Sequence, residues 1–104
     1  MGEKVLDIGC GPGGASRVLA GEMGATVTGV DLAPGLIELA KRLSDLSSIR
    51  VDFRVADALE LPFPDTSFDV VWTQHAAPNI KDKPRLYAEM RRVLRSGGRW
   101  LCTT

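Results

Sequence analysis

The chain has 104 residues, of which 44% are hydrophobic and 25% are charged, and 13 basic side chains balance 13 acidic ones. This length and composition predict one globular domain, residues 1–104, with a single core. Zero net charge gives no sign of a nucleic acid or a membrane as partner, and it favours a small neutral molecule. Cys10 and Cys102 lack the spacing of a disulfide framework or metal site, so we expect no metal and a reducing, cytoplasmic location.

Short apolar runs alternate with amphipathic segments along the chain, a pattern that predicts a parallel sheet covered by helices. Five strands are predicted, at residues 4–8, 26–30, 51–55, 69–73 and 99–102. Helical spacing of apolar residues predicts three helices, at residues 14–23, 34–46 and about 84–95. The connection 56–67 contains two prolines and an Asp-Thr-Ser turn, which exclude a regular helix over most of its length.

The strongest local signal is the segment VLDIGCGPGG at residues 5–14, where an apolar strand leads into a glycine-rich turn before a helix. Glycine tolerates positive φ and leaves N–H groups accessible, so the backbone can approach a ligand beside the positive end of the helix. Gly9, Gly11 and Gly14 also satisfy the G-x-G-x-x-G spacing of dinucleotide-binding sites. A turn with a purely structural purpose is the third interpretation.

Asp31 is the second signal, because it ends the second predicted strand about 20 residues after the glycine turn, as a ribose-binding acid does. A carboxylate only accepts hydrogen bonds, so it can bind both hydroxyls of a ribose and disfavours a phosphate there. The alternative is that Asp31 merely caps the helix that starts at Pro34.

Four motifs in order resemble those of class I S-adenosylmethionine-dependent methyltransferases. They are Asp7-x-Gly9-x-Gly11-x-Gly13, Gly29-Val30-Asp31, Ala56-Asp57-Ala58 and Leu94-Arg95-Ser96-Gly97-Gly98, and they span nearly the whole chain. The similarity is greatest to the small-molecule branch that includes ubiquinone and menaquinone C-methyltransferases and glycine or sarcosine N-methyltransferases. The resemblance implies a Rossmann-like three-layer α/β sandwich with a five-stranded parallel sheet in the order 3-2-1-4-5.

The function implied by this resemblance is transfer of a methyl group from S-adenosylmethionine to a small-molecule acceptor, with S-adenosylhomocysteine as product. A non-catalytic cofactor-binding module or fragment, and a nicotinamide-dinucleotide-binding half-domain, are the alternatives. Asp7 argues against a dinucleotide, because an acid directly before the glycines repels a pyrophosphate. The same acid can orient the loop or attract the cationic amino group of S-adenosylmethionine.

The resemblance also assigns cofactor contacts to residues that follow the predicted strands. The turn from Asp7 to Gly13 lies under the methionine part, one acid binds the ribose, and the 56–58 motif holds the adenine. The implied contacts are Asp7, Gly9, Cys10, Gly11 and Gly13 for methionine, Asp31 for the ribose, Asp57 for the adenine amine, and Leu32 and Ala58 for the faces of the ring, with Ala56 counted among the cofactor-binding residues of the 56–58 motif.

The fourth predicted strand ends at Thr73, and Gln74 and His75 follow it. Related enzymes place groups beside the transferable methyl at this position. Thr73 and Gln74 are therefore counted with the cofactor site, and all three residues are expected to line the acceptor site. His75, the single histidine, is either a general base or a loop residue. A base is optional in this reaction, because methyl transfer from a sulfonium gains chiefly from positioning. Asp69 is interpreted as a strand-start residue.

The chain also departs from the related enzymes, which begin with an additional helix and continue after the fifth strand into an antiparallel hairpin. We expect both to be absent here, which leaves the fifth strand as an open sheet edge. Open edges seek partners, so a dimer or other homo-oligomer that uses this edge and Trp100 is expected. The basic residues between 81 and 99 lack interleaved aromatics for base stacking, and we interpret them as a solvated helix face.

Overall fold

The computed structural model describes residues 2–74 and 81–103. The elements in chain order are β1 Lys4–Ile8, α1 Gly14–Met23, β2 Thr26–Asp31, α2 Pro34–Ser47, β3 Asp52–Val55, β4 Phe68–Gln74, α3 Lys83–Val93 and β5 Leu94–Thr103. All strand pairs of the sheet are parallel, and the order β3-β2-β1-β4-β5 confirms the predicted fold class.

The junction between α3 and β5 differs most from the sequence prediction. The helix ends at Val93 and not near residue 95, and the strand starts at Leu94 and not at residue 99. Leu94 has extended backbone and pairs with Phe68, which ends the helix early. The register then shifts before Val70 pairs with Arg99, so the glycine-rich stretch between these pairs forms an irregularity within β5.

The sheet carries one layer of structure on each face, because successive residues of a strand point to opposite sides. Leu6 and Ile8 of β1 belong to a core cluster with the apolar stripe of α3 and with buried residues of the connection 56–67. Val5 packs on the other face with β2, β4 and partly buried residues of α1. On that same face, Phe53 of β3 packs against Ile37 of α2. The result is a three-layer sandwich.

Asp69 ties the starts of three strands together, as its interpretation as a strand-start residue requires. Its Oδ2 accepts the backbone N–H of Lys4 at 2.8 Å, and its Oδ1 accepts a hydrogen bond from Arg95. These bonds link β1, β4 and the beginning of β5 at the amino ends of the strands.

Candidate functional site

The candidate site lies at the carboxyl ends of the central strands. Ile8, the last residue of β1, pairs with Val30 on one side and with Thr73 on the other. Asp31 pairs in turn with Val55 at the end of β3. The segments that leave these strands therefore emerge at one edge, where open parallel α/β sheets bind their ligands.

The glycine turn after β1 uses backbone that side chains disfavour. Gly9, Gly11 and Gly13 have φ of 71°, 56° and 83°. The N–H groups of Gly9 and Cys10 both donate to the carbonyl of Val30, at 2.8 and 3.0 Å. The turn is therefore fixed on the end of β2, and glycine is required at three of its positions.

The turn has one packed side and one open side. A Cβ on Gly13 would lie 2.4 Å from the ring Cζ of Phe53, so the turn rests directly on this aromatic side chain. A Cβ on Gly11 would have no atom within 4 Å. Helix α1 starts directly behind the turn, and its N-cap residue Gly13 provides no side chain to bond the first N–H groups. Backbone at Gly11 is thus accessible beside a helix N-terminus.

Asp7 lies beneath the turn and is only 2% exposed. Its Oδ2 accepts the hydroxyl of Ser16 at 2.6 Å, a bond that ties β1 to the first turn of α1. The pKa of Asp7 is raised to about 6. Burial is the main cause, the Ser16 hydrogen bond opposes it, and the charge of Asp31 adds to the increase. The strand before the glycine turn and the helix after it are thus tied together through Asp7, and its two predicted functions stay predictions.

Asp31 joins the glycine turn to the segment after β2. Its Oδ2 accepts the N–H of Gly11 at 2.9 Å, and its Oδ1 accepts the N–H of Ala33 at 3.0 Å. Helix α2 has Ala33 as its N-cap, so capping alone does not account for the Asp31 carboxylate. A carboxylate has about four acceptor positions, and these two bonds leave about one free on each oxygen.

Cys10 is partly buried within the turn. Its Sγ contacts the carbonyl of Gly11 at 3.6 Å. Burial, with smaller contributions from Asp7 and Asp31, raises the pKa of the thiol to about 12. The side chain therefore stays neutral, and its predicted contact with a ligand would be apolar or through its backbone.

The 56–58 motif forms a tight turn after β3. Asp57 is exposed, and its Oδ1 accepts the N–H of Leu59 at 2.9 Å. Ala58 is 9% exposed and packs in the core under α3. The carboxylate is accessible to solvent at this edge of the sheet, whereas the Ala58 methyl group faces the core.

Leu32 and Ala56 both lie next to the end of β2. The N–H of Ala56 donates to the carbonyl of Asp31 at 3.1 Å, which brings the 56–58 motif next to the acid. Leu32 is 66% exposed. It lies beside the Asp31 carboxylate in sequence and offers an apolar surface to a ring.

Thr73 completes this edge from β4. It is 0% exposed, and its hydroxyl oxygen has no hydrogen-bond partner within the described structure. The backbone of Gln74 ends β4, but its side chain and the whole of His75 lie outside the described residues. The predicted base and acceptor-lining roles of His75 and Gln74 therefore stay predictions.

Sequence reasoning missed two residues that shape the turn, Ser16 and Phe53. A hydroxyl one turn into a helix is a common feature, so nothing marked Ser16 as the partner of Asp7. Phe53 pairs with Gly29, where a Cβ would lie 2.8 Å from the aromatic ring. The one available signal for this packing was a glycine in the middle of β2.

The interpretation of the basic residues between 81 and 99 as a solvated helix face is wrong for Arg92, which is half-buried, whereas the other basic residues in this range are exposed. Glu89 is 5% exposed, and Arg92 bonds to Glu89 at 2.6 Å and to the carbonyl of Phe63 at 2.8 Å. Arg85 bonds to the carbonyl of Leu59 at 2.7 Å. These residues form a polar stripe that holds the connection, in which Glu89 is buried, Arg92 is half-buried and Arg85 is exposed.

Within residues 2–74 and 81–103, no group of three or more His, Cys, Asp or Glu side chains is arranged to hold a metal ion. Over the same ranges, every helix is too short or too polar to cross a bilayer.

Comparisons with known proteins identify relatives of the chain. It is 44% identical over 97 residues to 2-methyl-6-phytyl-1,4-hydroquinone methyltransferase of Synechocystis, an alignment that covers 93% of this chain and 30% of that protein. It is 41% identical over 107 residues to the chloroplastic tocopherol O-methyltransferase of Arabidopsis thaliana, with 98% and 30% covered. The chain thus spans about 30% of the length of these curated relatives.

Solved structures that superpose on this chain point to the same kind of protein as the sequence relatives do. Phosphoethanolamine N-methyltransferase 2 of Haemonchus contortus, in complex with S-adenosyl-L-methionine, superposes with a TM-score of 0.91 at 38% identity, and 98% of this chain and 24% of that one are covered. The PH0226 protein of Pyrococcus horikoshii superposes with a TM-score of 0.90 at 33% identity, with 100% and 50% covered. A family model described as a methyltransferase domain matches residues 6–102, and with these relatives it shows that the chain belongs to the methyltransferase domain family.

Proposed function

We propose that the chain binds S-adenosylmethionine at the carboxyl edge of its sheet and contributes to methyl transfer onto a small-molecule acceptor. The observation that carries this proposal is the Asp31 carboxylate. It bridges Gly11 and Ala33 at 2.9 and 3.0 Å and keeps a free acceptor position on each oxygen. Two acceptors side by side at the end of β2 suit the two adjacent hydroxyls of a ribose.

Three observations support the fit of the other parts of S-adenosylmethionine to this site. The open side of Gly11 leaves space for a ligand on the turn. The buried Thr73 hydroxyl has no partner among the described residues and can donate to a ligand group at the strand ends. The negative charge of Asp7 and Asp31 beside the turn suits a cation and repels a pyrophosphate, so the nicotinamide-dinucleotide alternative has no support here. When bound, S-adenosylmethionine supplies an electrophilic methyl group on its sulfonium.

Each part of the cofactor has its own group of residues in this proposal. The turn from Asp7 to Gly13, with Gly9, Cys10 and Gly11, holds the methionine part. Asp31 binds the ribose diol. The adenine edge belongs to the exposed Asp57 carboxylate with Ala56, while the ring lies between Leu32 and the backbone of Ala58. Thr73 and Gln74 lie toward the methyl group, and His75 is the proposed base or acceptor contact.

The proposed acceptor is a small nucleophile with an oxygen, nitrogen or carbon centre. Relatives are named for a hydroquinone, tocopherol and phosphoethanolamine as acceptors, which cover phenol and amine chemistry. The task of the protein in this reaction is to align the nucleophile with the sulfonium and to exclude water. A methyl-release assay across amine, phenol and quinol acceptors tests turnover, and binding without turnover on all of them would favour a non-catalytic module.

Cofactor binding has a sharper test in the Asp31→Ala variant. Loss of hydrogen bonds to a charged acceptor predicts at least about a tenfold weaker Kd for S-adenosylmethionine in calorimetric titration. The matched control is Asp45→Ala, which removes an exposed acid of α2 and is expected to bind as the parent does. Unchanged affinity in a folded Asp31→Ala protein, or tighter binding of NAD than of S-adenosylmethionine, contradicts the proposal.

Self-association through β5 is proposed together with this function. β5 is an end strand of the sheet, and its side chains Trp100 and Leu101 are 39% and 44% exposed. A second copy that pairs with this strand would satisfy its free backbone groups and cover both apolar side chains. Light scattering at micromolar concentration tests this, and a monomeric mass would refute it.

We further propose a cytoplasmic location, supported by the free thiol of Cys10 and testable by cell fractionation.

A further inference from the structure

The connection 56–67 is held by a polar stripe on α3. Arg85, Glu89 and Arg92 follow one another at intervals of four and three residues, so they share one side of the helix. Next to them, an apolar stripe of α3 packs in the core. The polar stripe therefore lies at the border of the core, directly under a segment that has no helix of its own.

The bonds from this stripe go mainly to backbone groups of the connection. Arg85 donates to the carbonyl of Leu59 at 2.7 Å. Glu89 accepts the N–H of Leu61 at 2.7 Å, and Arg92 donates to the carbonyl of the same residue at 2.9 Å. Leu61 is only 4% exposed and lies outside helices and strands, so its peptide groups need such partners. Leu61 is thus fixed at both its N–H and its C=O.

Glu89 and Arg92 act as one charged unit. Arg92 donates to Oε2 of Glu89 at 2.6 Å, and the same guanidinium reaches the carbonyl of Phe63 at 2.8 Å and the carboxylate of Asp65 at 2.9 Å. The Arg92 bond keeps the pKa of Glu89 below its usual value. Because all the guanidinium nitrogens are used in a planar fork, lysine cannot reproduce this set of bonds.

The held segment begins at the proposed adenine contact. Asp57 and Glu60 form an isolated bridge, and the N–H of Glu60 donates to the carbonyl of Asp57 at 3.0 Å. This four-residue turn is followed directly by Leu61, which α3 fixes, and it contains Leu59, whose carbonyl Arg85 holds. The position of the Asp57 carboxylate therefore depends on bonds made by α3.

From this geometry we infer that Glu89 and Arg92 are positioning residues for cofactor selectivity, because they hold Asp57 where it can accept a hydrogen bond from the 6-amino group of adenine. This inference rests on the proposed function and extends it to residues outside the site. A purely structural pair would stabilise the fold without affecting which purine is bound. The difference between these roles is measurable in the discrimination between purines.

The experiment compares two product analogues as probes, S-adenosylhomocysteine and S-inosylhomocysteine, in which an oxo group replaces the 6-amino group. Calorimetric Kd values are measured for the parent chain and for Asp57→Ala, Arg92→Lys and Glu89→Gln. Arg91→Lys is the matched control, because Arg91 is the exposed neighbour on the same helix. We expect the parent to prefer the adenosyl compound by about tenfold, as one hydrogen bond to a charged acceptor allows.

The expected result is that Arg92→Lys and Glu89→Gln lower this preference roughly threefold to tenfold, whereas Arg91→Lys leaves it intact. The double variant Asp57→Ala with Arg92→Lys should discriminate no less than Asp57→Ala alone, because both changes remove the same contact. An unchanged preference in folded Arg92→Lys and Glu89→Gln proteins, with both Kd values raised equally, overturns the inference. Failure of the proposed function has a different signature, since S-adenosylhomocysteine would then bind neither the parent chain nor any variant.

Discussion

The glycine turn after β1 and the connection 56–67 reach the same edge of the sheet, but they are held in different ways. The turn is fixed by its own backbone geometry and by the carbonyl at the end of the neighbouring strand. The connection is fixed by side chains of a helix about 30 positions later in the sequence, with Arg92 bonding to Phe63 and Leu61. The two halves of the proposed cofactor site therefore fail in different ways. The turn is sensitive to added atoms, and the connection is sensitive to lost charges.

The largest effect is expected from Gly13→Ala, which breaks the turn itself. Alanine at φ of 83° costs about 1–2 kcal/mol, and the new Cβ would lie 2.4 Å from the Phe53 ring, which adds overpacking of up to about 3 kcal/mol. We expect a loss of roughly 4 kcal/mol in the free energy of unfolding, measured by urea denaturation. Gly11→Ala is the control, because its Cβ enters open space and only the backbone cost remains. Equal losses in the two variants would show that Phe53 does not support the turn.

A slightly smaller effect is expected from Glu89→Ala, which breaks the connection from a distance. The change leaves the Leu61 N–H without its partner and Arg92 without its main counter-charge. Breaking a buried pair costs about 3–5 kcal/mol, and because the Arg92 side chain keeps 32% exposure we expect about 3 kcal/mol. Glu38→Ala, an exposed acid on α2, is the control in the same denaturation experiment. A loss below about 1 kcal/mol would mean that the connection does not depend on this pair.

The same contrast explains what the sequence could and could not predict. The bounds of β1, α1 and the glycine turn were predicted correctly. A short apolar run, helical spacing of apolar residues and glycines that permit positive φ are all local properties of the sequence. The strand order was implied by the resemblance to class I methyltransferases, and the structure confirms it. The role of Arg92 was missed, because a cation on a helix has the same local pattern whether it faces solvent or a backbone carbonyl. Helix α3 was extended too far for a related reason: Leu94 fits a helical stripe, and pairing with Phe68 overrides it.

The bonds of Asp31 show an intermediate case. Its position at the end of β2 was evident from the sequence, and so was the choice between a cap and a ribose ligand. That one oxygen reaches back to the N–H of Gly11 was not, because this contact needs the turn and β2 to be in register. Such a bond makes the acid part of the turn, so the ribose and methionine ends of the proposed site are coupled through a single carboxylate.

The smallest and most specific effect is a pH dependence of stability that comes from Asp7, the acid beneath the glycine turn. Burial raises its pKa from 3.8 to about 6, so between these pH values the native state holds a proton that the unfolded state has released. The contribution of Asp7 to stability therefore falls as pH rises through this window, by no more than about 3 kcal/mol in total. In Asp7→Asn this pH dependence should disappear, because the amide oxygen can still accept the Ser16 hydroxyl without ionising. We expect parent and variant to converge in unfolding free energy near pH 4 and the variant to be more stable above pH 6.

Affinity should change in the opposite direction, because above pH 6 the parent presents a negative charge to the cationic amino group of S-adenosylmethionine and Asp7→Asn does not. Titrations at pH 5 and pH 7.5 should show weaker binding in the variant mainly at the higher pH. Asp45→Asn, on the exposed face of α2, should change neither quantity. If Asp7→Asn were more stable and bound the cofactor equally well at pH 7.5, the acid would serve only to orient the turn through Ser16. A gain in stability coupled to a loss in affinity would mean that the chain keeps a buried charge at a cost of stability because the ligand needs it.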